Sequence, residues 1–262
     1  MSILRKIEKT AALFGFNPRV GITTLSNLSW YFSDLRKLKE QSQQSSFTFP
    51  LGTPFPIFTE RNDQSGATAD HYFHQDLRVA RRIFELNPAK HVDVGSRIDG
   101  FVAHVASFRP VEIFDIRPMD SSIHNVTFRQ ADFMAMDERF EQYTDSLSCL
   151  HAIEHFGLGR YGDPVDFDGF DKGLQNLGRM LKPGGRFHFS TPMGPQRIEF
   201  NAHRVFSTAF LVEYFASQYR LDRFSYITDE GKLVEDVPLD DQGFRDNFGC
   251  RYGCAIMELV RL

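Results

Sequence analysis

The chain has 262 residues, of which 42% are hydrophobic and 24% charged, enough for one globular domain with a full core and a short extension. Its formal net charge of −4 gives no overall attraction to nucleic acid, so a nucleic-acid partner is not expected. Three cysteines in a chain of this length favour reduced thiols over a disulfide framework. No apolar run has the length of a membrane span, and we expect a cytoplasmic protein.

The first 40 residues predict two amphipathic helices, separated by a turn at residues 15–18. Apolar residues recur at helical spacing, namely Ile3, Leu4 and Ile7 in the first helix and Leu25, Leu28, Tyr31, Phe32 and Leu35 in the second. Such helices usually pack against a core, although the basic face and Trp30 also suit weak contact with a membrane surface or a partner protein. Pairing of two chains into a homo-oligomer is left open.

Residues 41–69 are polar and rich in proline, which is typical of an irregular connector. We therefore place residues 1–69 in an N-terminal helical extension with its connector and residues 70–262 in a core domain. In that domain a helix over residues 75–86 comes first, and helices then separate most of the strands. The predicted strands cover residues 91–94, 111–116, 125–133, 145–150, 186–190, 223–227 and 253–260. This alternation indicates an α/β protein.

The stretch from His91 to Gly100 has the pattern of a buried strand, a tight turn and the start of a helix. A glycine after such a strand lets a ligand approach the backbone, and free N–H groups at the helix start favour polar or anionic groups. Asp93 can accept hydrogen bonds there. Arg97 and Asp99 stand where further glycines usually occur, so an ordinary strand-to-helix turn is the alternative.

Acidic residues follow the next two strands. Asp115 lies 22 residues beyond Asp93, where nucleotide-binding sheets place an acid that accepts hydrogen bonds from ribose hydroxyls. Asp132 ends the following strand. Both are predicted at the sheet edge where ligands bind, although acids that simply face water are the alternative.

Two polar loops, at residues 151–164 and 192–204, lack apolar periodicity, and loops of that kind usually carry function. Glu154 and His155 are candidates for a general base, with a helix cap and a buried structural histidine as the alternatives. A metal site from His151, His155 and Asp163 is the weaker hypothesis, because a loop can hold such residues without bringing them together. Cys250 and Cys254 have no partners at zinc-site spacing, so no metal is predicted.

Three motifs, in this order and spacing, resemble those of class I S-adenosylmethionine-dependent methyltransferases over roughly residues 70–262. They are Val92-Asp93-Val94-Gly95, His151-Ala152-Ile153-Glu154-His155 and Leu181-Lys182-Pro183-Gly184-Gly185-Arg186. The resemblance implies a Rossmann-like doubly wound sheet, mostly parallel with an antiparallel last strand. Residues 94–100, 159–163 and 200–204 further resemble a poorly characterised branch of unknown function, found in bacterial polysaccharide gene clusters and in nematodes.

The resemblance also implies a binding site for S-adenosylmethionine. The implied cofactor-binding residues are Asp93, Gly95 and Ser96 at the methionine end, Asp115 and Ile116 at the ribose, Asp132 and Phe133 at the adenine, and His151 over the sulfonium. Arg97 would pair with the cofactor carboxylate or with Asp99.

The function implied is methyl transfer to an oxygen of a small hydroxylated or glycan acceptor, in polysaccharide biosynthesis. Glu154 or His155 would take the proton, and the acceptor would contact Tyr161, Asn201, His203 and Arg204. One alternative is a non-catalytic Rossmann-like module that binds a partner and has lost turnover. A nicotinamide oxidoreductase fits less well, because no second glycine stands where the pyrophosphate needs backbone contact.

Overall fold

The computed structural model describes residues 11–12, 14–47, 50–58, 71–135 and 137–262. Two compact units make up the chain, Met1–Ala67 and Thr68–Leu262. Ile3, Leu4 and Ile7, which predicted the first N-terminal helix, lie outside the described residues. Among the helices that are described, none combines the length and hydropathy needed to cross a bilayer.

The first unit contains one long helix, α1 (Pro18–Gln44), which runs four residues into the predicted connector before ending. Residues 50–58 return to it, since the Asn27 side-chain amide donates to the carbonyl of Phe58 at 2.7 Å. The ring of Phe58 meets those of Trp30 and Tyr31 edge-on. Leu25 and Phe32, which the helical spacing assigned to a packed face, are exposed, so that assignment was wrong for both.

The second unit contains a mostly parallel sheet with helices on both faces. Its strands are β1 (His91–Val94), β2 (Val111–Asp115), β3 (Val126–Gln130), β4 (Thr144–Leu150), β5 (Leu181–Met193), β8 (Tyr219–Ile227), β9 (Leu233–Val234) and β10 (Gly253–Arg261), with β6 (Arg197–Glu199) and β7 (His203–Val205) forming a separate pair. Its helices are α2 (His71–Leu86), α3 (Ala103–Ala106), α4 (Gly169–Met180) and α5 (Thr208–Phe215).

The strand order in the large sheet is β3-β2-β1-β4-β5-β10-β8-β9. Neighbours from β3 to β5 are parallel, whereas β10 is antiparallel to both β5 and β8. The predicted Rossmann-like sheet with an antiparallel last strand is confirmed. Because the order reverses direction between β1 and β4, the carboxyl ends of these strands border a crevice of the kind that binds ligands in such sheets.

Each face of the sheet has its own apolar core. On one face Val79 and Ile83 of α2 pack with Phe101 and Val105. On the other, Leu177 of α4 belongs to a cluster with aromatic residues of β5 and α5. Burial of a large apolar side chain stabilises a fold by about 1.5–3 kcal/mol, so these two layers hold the sheet rigid beneath the crevice.

Helix α2 begins four residues before its predicted start, at His71. Of its four apolar residues at helical spacing, Ala80 and Ile83 are buried as that spacing predicts, whereas Leu77 and Phe84 are exposed. Arg78 is buried as well. Its guanidinium donates to Glu235 at 2.5 Å and to Asp236 at 2.6 Å. These two carboxylates, on the acidic loop between β8 and β10, therefore compensate a buried charge.

The segment after β4 also departs from the prediction in two places. Helix α4 ends at Met180, and β5 begins directly after it at Leu181, five residues before the predicted strand. Residues 182–185 form an irregularity there, where the register with β4 shifts between Thr144 and Ser146. The second polar loop contains the β6–β7 hairpin, paired from Arg197 with Val205. Short strands of this kind carry too few apolar residues to show a period of two in the sequence.

All three cysteines, Cys149, Cys250 and Cys254, are buried free thiols.

Candidate active site

A cavity of about 180 Å³ opens at the carboxyl ends of β1, β2 and β4. Nine of the predicted site residues are in its wall, namely Gly95, Arg97, Asp115, Ile116, Asp132, Phe133, His151, His155 and Tyr161. Six others are not among its lining residues, namely Asp93, Ser96, Glu154, Asn201, His203 and Arg204. Several further wall residues were not predicted from the sequence, including Tyr72, Arg117, Met134 and Arg160.

Asp93 lies beneath the cavity and holds the turn that shapes it. Its carboxylate accepts hydrogen bonds from the backbone N–H of Ser96 at 3.1 Å, from the Ser96 hydroxyl at 2.6 Å and from the Ser148 hydroxyl at 2.5 Å. The Ser96 hydroxyl in turn accepts from the N–H of Leu150. Burial raises the pKa of Asp93 to about 6, although the serine donors oppose the shift.

Gly95 forms the floor of the cavity because of its backbone conformation. Its φ is +74°, and a Cβ there would lie 2.8 Å from the Cβ of Ala152. Any other residue would both strain the turn and collide with the β4 loop. Gly100, which stands one place late for a nucleotide-binding motif, has another purpose, since a Cβ there would collide with the Asp76 carboxylate of α2.

Arg97 has the second of its two predicted partners. It donates to the Asp99 carboxylate at 3.1 and 2.9 Å, and its guanidinium lies 4.7 Å from the centre of the Tyr72 ring. The side chain thus stands at the cavity mouth over an aromatic ring, with the Asp99 pair exposed to water. Exposed ion pairs contribute little to stability, so Arg97 can exchange Asp99 for an anionic group of a ligand.

The ends of β2 and β3 form the opposite wall. Both Asp115 oxygens accept from the Arg117 guanidinium, at 3.0 and 2.7 Å, and that guanidinium stacks 4.5 Å from the centre of the Tyr161 ring. Asp132 accepts from the N–H of Met134 at 2.8 Å through one oxygen. The two strand-end acids therefore meet at one wall of the cavity, as their positions in the sequence predicted.

His151 follows β4 with a φ of +49°, a conformation uncommon for residues other than glycine. Its Nδ1 lies 2.8 Å from a Glu154 carboxylate oxygen, and both side chains are buried. Burial lowers the pKa of His151, but Cys254 and Glu154 outweigh it, so the pKa is raised above the ordinary value. Glu154 is thereby committed to orienting His151.

His155 combines the features of a neutral base. Its Nδ1 donates to the carbonyl of Ala202 at 2.6 Å, which leaves the Nε2 lone pair available. Burial lowers the pKa of His155 below its ordinary value, and the more weakly acting Glu154 opposes this. Nε2 lies 3.8 Å from a Glu154 oxygen, so a proton taken by this ring would face a carboxylate.

Asp163 and Arg204 hold the loop that carries His155. Asp163 accepts from the backbone N–H groups of Gly157, Gly159 and Tyr161 at 2.8–3.2 Å. Arg204, which is buried, donates to the carbonyl of Phe156 at 2.5 Å and to that of Phe167 at 3.0 Å. The structure thus gives Arg204 backbone partners, whereas the sequence suggested an acceptor contact.

We expect Arg204→Ala to destabilise the protein by about 2 kcal/mol, because it leaves two carbonyls of the active-site loop without their charged donor. Urea unfolding followed by circular dichroism measures the loss. Arg139→Ala is the control, since 78% of the Arg139 side chain is exposed and its partner is the surface acid Asp137. Equal stability of the two variants would contradict this role for Arg204.

Two of the missed wall residues had a signal in the sequence. Arg117 follows Asp115 by two residues, and an arginine that close to a strand-end acid is well placed to pair with it. Arg160 belongs to the polar loop whose other members were singled out. Tyr72 had no such signal, because it lies at the start of α2, 19 residues before β1, and only the tertiary fold brings it to the cavity.

Comparison with solved structures shows the fold. The [4+2]-cyclase SpnF superposes with a TM-score of 0.51 at 14% identity, over 76% of this chain and 85% of that chain. The 1,6-didemethyltoxoflavin-N1-methyltransferase of Burkholderia thailandensis has a TM-score of 0.48 at 18% identity, over 71% and 78%. The N-methyltransferase NodS of Bradyrhizobium japonicum has 0.48 at 11%, over 73% and 88%. The last two contain S-adenosylhomocysteine.

The sheet order and the cavity at its carboxyl edge define a protein with the Rossmann-like methyltransferase fold. The chain belongs to the family described as Caenorhabditis protein of unknown function, DUF268, whose model matches residues 111–242. That description agrees with the nematode part of the expected branch. No curated protein matches the sequence.

Proposed function

We propose that this protein is an S-adenosylmethionine-dependent methyltransferase in which His155 is the general base. The observation that carries the proposal is the state of this histidine. Burial keeps it neutral, the Ala202 carbonyl occupies Nδ1, and the ring lines a cavity at the carboxyl edge of the sheet. A base needs a free lone pair near the reacting group, and Nε2 is such an atom.

The residues of the cavity fit the proposed cofactor. Phe133 and Met134 provide an apolar wall of the kind that an adenine ring needs, and Asp132 has one oxygen outside its bond to Met134. Asp115 can accept from ribose hydroxyls if it shares its carboxylate with Arg117. Arg97 can pair with the carboxylate of the methionine end in exchange for Asp99.

When bound, S-adenosylmethionine supplies a methyl group on a sulfonium. The chain must hold an acceptor hydroxyl in line with that group and remove its proton. His155 takes the proton at Nε2, while its Nδ1–H remains on the Ala202 carbonyl. Glu154, 3.8 Å from Nε2, stabilises the imidazolium that results. Glu154 is therefore a positioning residue in this mechanism, and His155 is the catalytic one.

We propose a small hydroxylated or glycan acceptor that contacts Tyr161 and Arg160. Both line the cavity, the Tyr161 ring lies edge-on to His155, and the Arg160 guanidinium lies 5.1 Å from the centre of that ring. An aromatic ring next to a fixed donor suits the alternating apolar and hydroxylated faces of a sugar. Asn201 and His203, at the β6–β7 hairpin, remain proposed acceptor contacts outside the cavity wall.

A second candidate is a non-catalytic binding module. The observation that favours it is the bidentate pair of Asp115 with Arg117, which occupies both oxygens of the acid expected to hold the ribose. A protein that no longer binds the cofactor can keep such a pair closed.

Titration calorimetry with S-adenosylmethionine and S-adenosylhomocysteine separates the two candidates. We expect binding to the wild type and about 10–100-fold weaker binding to Asp115→Asn, which loses the charge that strengthens its hydrogen bonds. Asp120→Asn, at an exposed acid of the next loop, is the matched control and should bind like the wild type. Absence of binding at high micromolar cofactor would favour the binding module. Transfer of a labelled methyl group to a panel of sugars then identifies the acceptor.

A further inference from the structure

Three side chains with metal-binding atoms meet beside the cavity, although they are far apart in the sequence. His71 is the first residue of α2, His151 follows β4, and Cys254 lies on β10. One nitrogen from each histidine and the sulfur of Cys254 all lie within 4.8 Å of one another. Imidazole nitrogen and thiolate sulfur are the ligands that Zn²⁺ prefers in proteins.

The Nε2 atom of His151 gives a second and independent indication. It is buried, and among the residues that the structure describes no oxygen or nitrogen partner reaches it, while the Cys254 thiol interacts with the same ring. A buried polar atom left in this state costs about 1–3 kcal/mol, so a native protein usually has a reason for it. The other ring nitrogen, Nδ1, is bonded to the Glu154 carboxylate at 2.8 Å. Metal-binding histidines are typically oriented by a carboxylate in this way, which fixes Nε2 as the ligand atom.

We propose that His71, His151 and Cys254 bind one Zn²⁺ ion. His151 binds through Nε2 while Nδ1–H donates to Glu154. As the nitrogen–zinc and sulfur–zinc bonds form, the Nε2 proton of the His151 imidazolium and the proton of the Cys254 thiol are released to solvent. The proposal goes beyond the methyltransferase function and does not depend on it. This ligand set differs from both groups of residues weighed as metal ligands in the sequence, His151 with His155 and Asp163, and Cys250 with Cys254, for which no metal was predicted.

Zinc binding requires one local movement. The rings of His71 and His151 are stacked, with centroids 5.4 Å apart and planes inclined by 27°, so their nitrogen lone pairs do not yet converge on one point. His71 is half-buried and has to turn about its side-chain bonds to bring a nitrogen towards the sulfur. Since it is the least buried of the three, it also marks the side from which an ion enters.

Three protein ligands leave the fourth tetrahedral position open. This is the pattern of catalytic zinc sites, in which water or substrate completes the coordination, whereas structural sites are closed by four protein ligands. His151 is shared between the ion and the cavity wall. We therefore place the proposed ion next to this cavity.

Zinc titration of the full chain tests the proposal. Protein freed of metal with a chelator is titrated with Zn²⁺ against a chromophoric competitor, and we expect one ion per chain. His71→Ala and Cys254→Ser should each weaken binding by about 100-fold or more, because loss of a ligand exceeds the 10–100-fold effect of losing an outer partner. His74→Ala on the same helix and Cys250→Ser at another buried thiol are matched controls and should bind like the wild type.

Cobalt substitution gives a readout that is independent of affinity. Co²⁺ bound by the wild type should show thiolate-to-metal charge-transfer absorption, which Cys254→Ser should lack. If Cys254→Ser does not fold, His71→Ala decides the test, since residue 71 lies at the start of its helix. Absence of stoichiometric zinc, or equal affinity in the His71→Ala and His74→Ala variants, would overturn the proposal. Neither result involves S-adenosylmethionine, so failure here leaves the proposed function standing.

Discussion

His155→Ala should lower the rate of methyl transfer by about 10²–10⁴-fold, the usual contribution of a general base, with cofactor affinity nearly unchanged. The reason is that Nε2 is the free basic atom of the ring, and the side chain is held by Ala202 independently of the cofactor-binding acids. Steady-state kinetics on the acceptor identified in the sugar panel, together with calorimetry, measure the two effects separately. Loss of only severalfold would favour catalysis by positioning alone.

The same role of His155 predicts how kcat/KM changes with pH. His155 acts in its neutral form, so kcat/KM should fall as pH drops through the pKa of this group. Because burial lowers that pKa below the ordinary value of 6.5, the fall should occur below pH 6.5. His124→Ala, at an exposed histidine, should keep both the rate and the profile. An acid limb above pH 6.5 would point to another group.

Asp93→Ala should destabilise the protein by about 3 kcal/mol, because three buried donors lose their common acceptor. For a unit of this size that corresponds to a fall in Tm of about 10 °C. The variant should also lose cofactor binding, although Asp93 does not line the cavity, since the turn at Gly95 depends on these bonds. Thermal unfolding by calorimetry measures the first effect, and cofactor titration well below the Tm measures the second.

Asp93→Asn tests the same residue through pH. The carboxyl has a pKa of about 6 in the folded protein and an ordinary value of 3.8, so the folded state holds its proton more tightly. Its stabilising effect is complete below pH 3.8 and is lost as pH rises through 6, by about 3 kcal/mol in all. Asp93→Asn should lack this loss. If both proteins lose equal stability between pH 4 and pH 7, another group titrates.

The sheet was predictable because its strands are short apolar runs bounded by turn residues. Strand-end acids such as Asp115 and Asp132 could be placed by topology alone, since parallel strands bring their carboxyl ends to one edge. The roles of Asp93 and Glu154 could not be derived in this way. Both are acids next to the site. Only the hydrogen bond of Asp93 with the Ser148 hydroxyl and that of Glu154 with the His151 ring show that these acids act beneath its surface.

Contacts between residues that are far apart in the chain could not be predicted from the sequence either. Gly100 stands one place late for a ligand-binding glycine. Its contact with the Asp76 carboxylate of α2, which only the folded structure shows, explains why a glycine is needed there. The grouping of His71, His151 and Cys254 likewise has no spacing that a sequence motif could show, because three separate elements supply one residue each. Arg204 was predicted to contact the acceptor, whereas in the structure it donates to carbonyls of the active-site loop, which its own sequence neighbourhood does not indicate.

The position of β10 has a consequence for the time at which the domain can fold. This strand is the last of the sheet in chain order, yet it lies between β5 and β8 and pairs with both along most of its length. During synthesis, β1 to β5 can assemble early, but the hydrogen-bonding edges of β5 and β8 remain open until β10 has emerged. An open edge is a template for pairing with another chain, so a nascent molecule carries this hazard for longer than a sheet built in sequence order would.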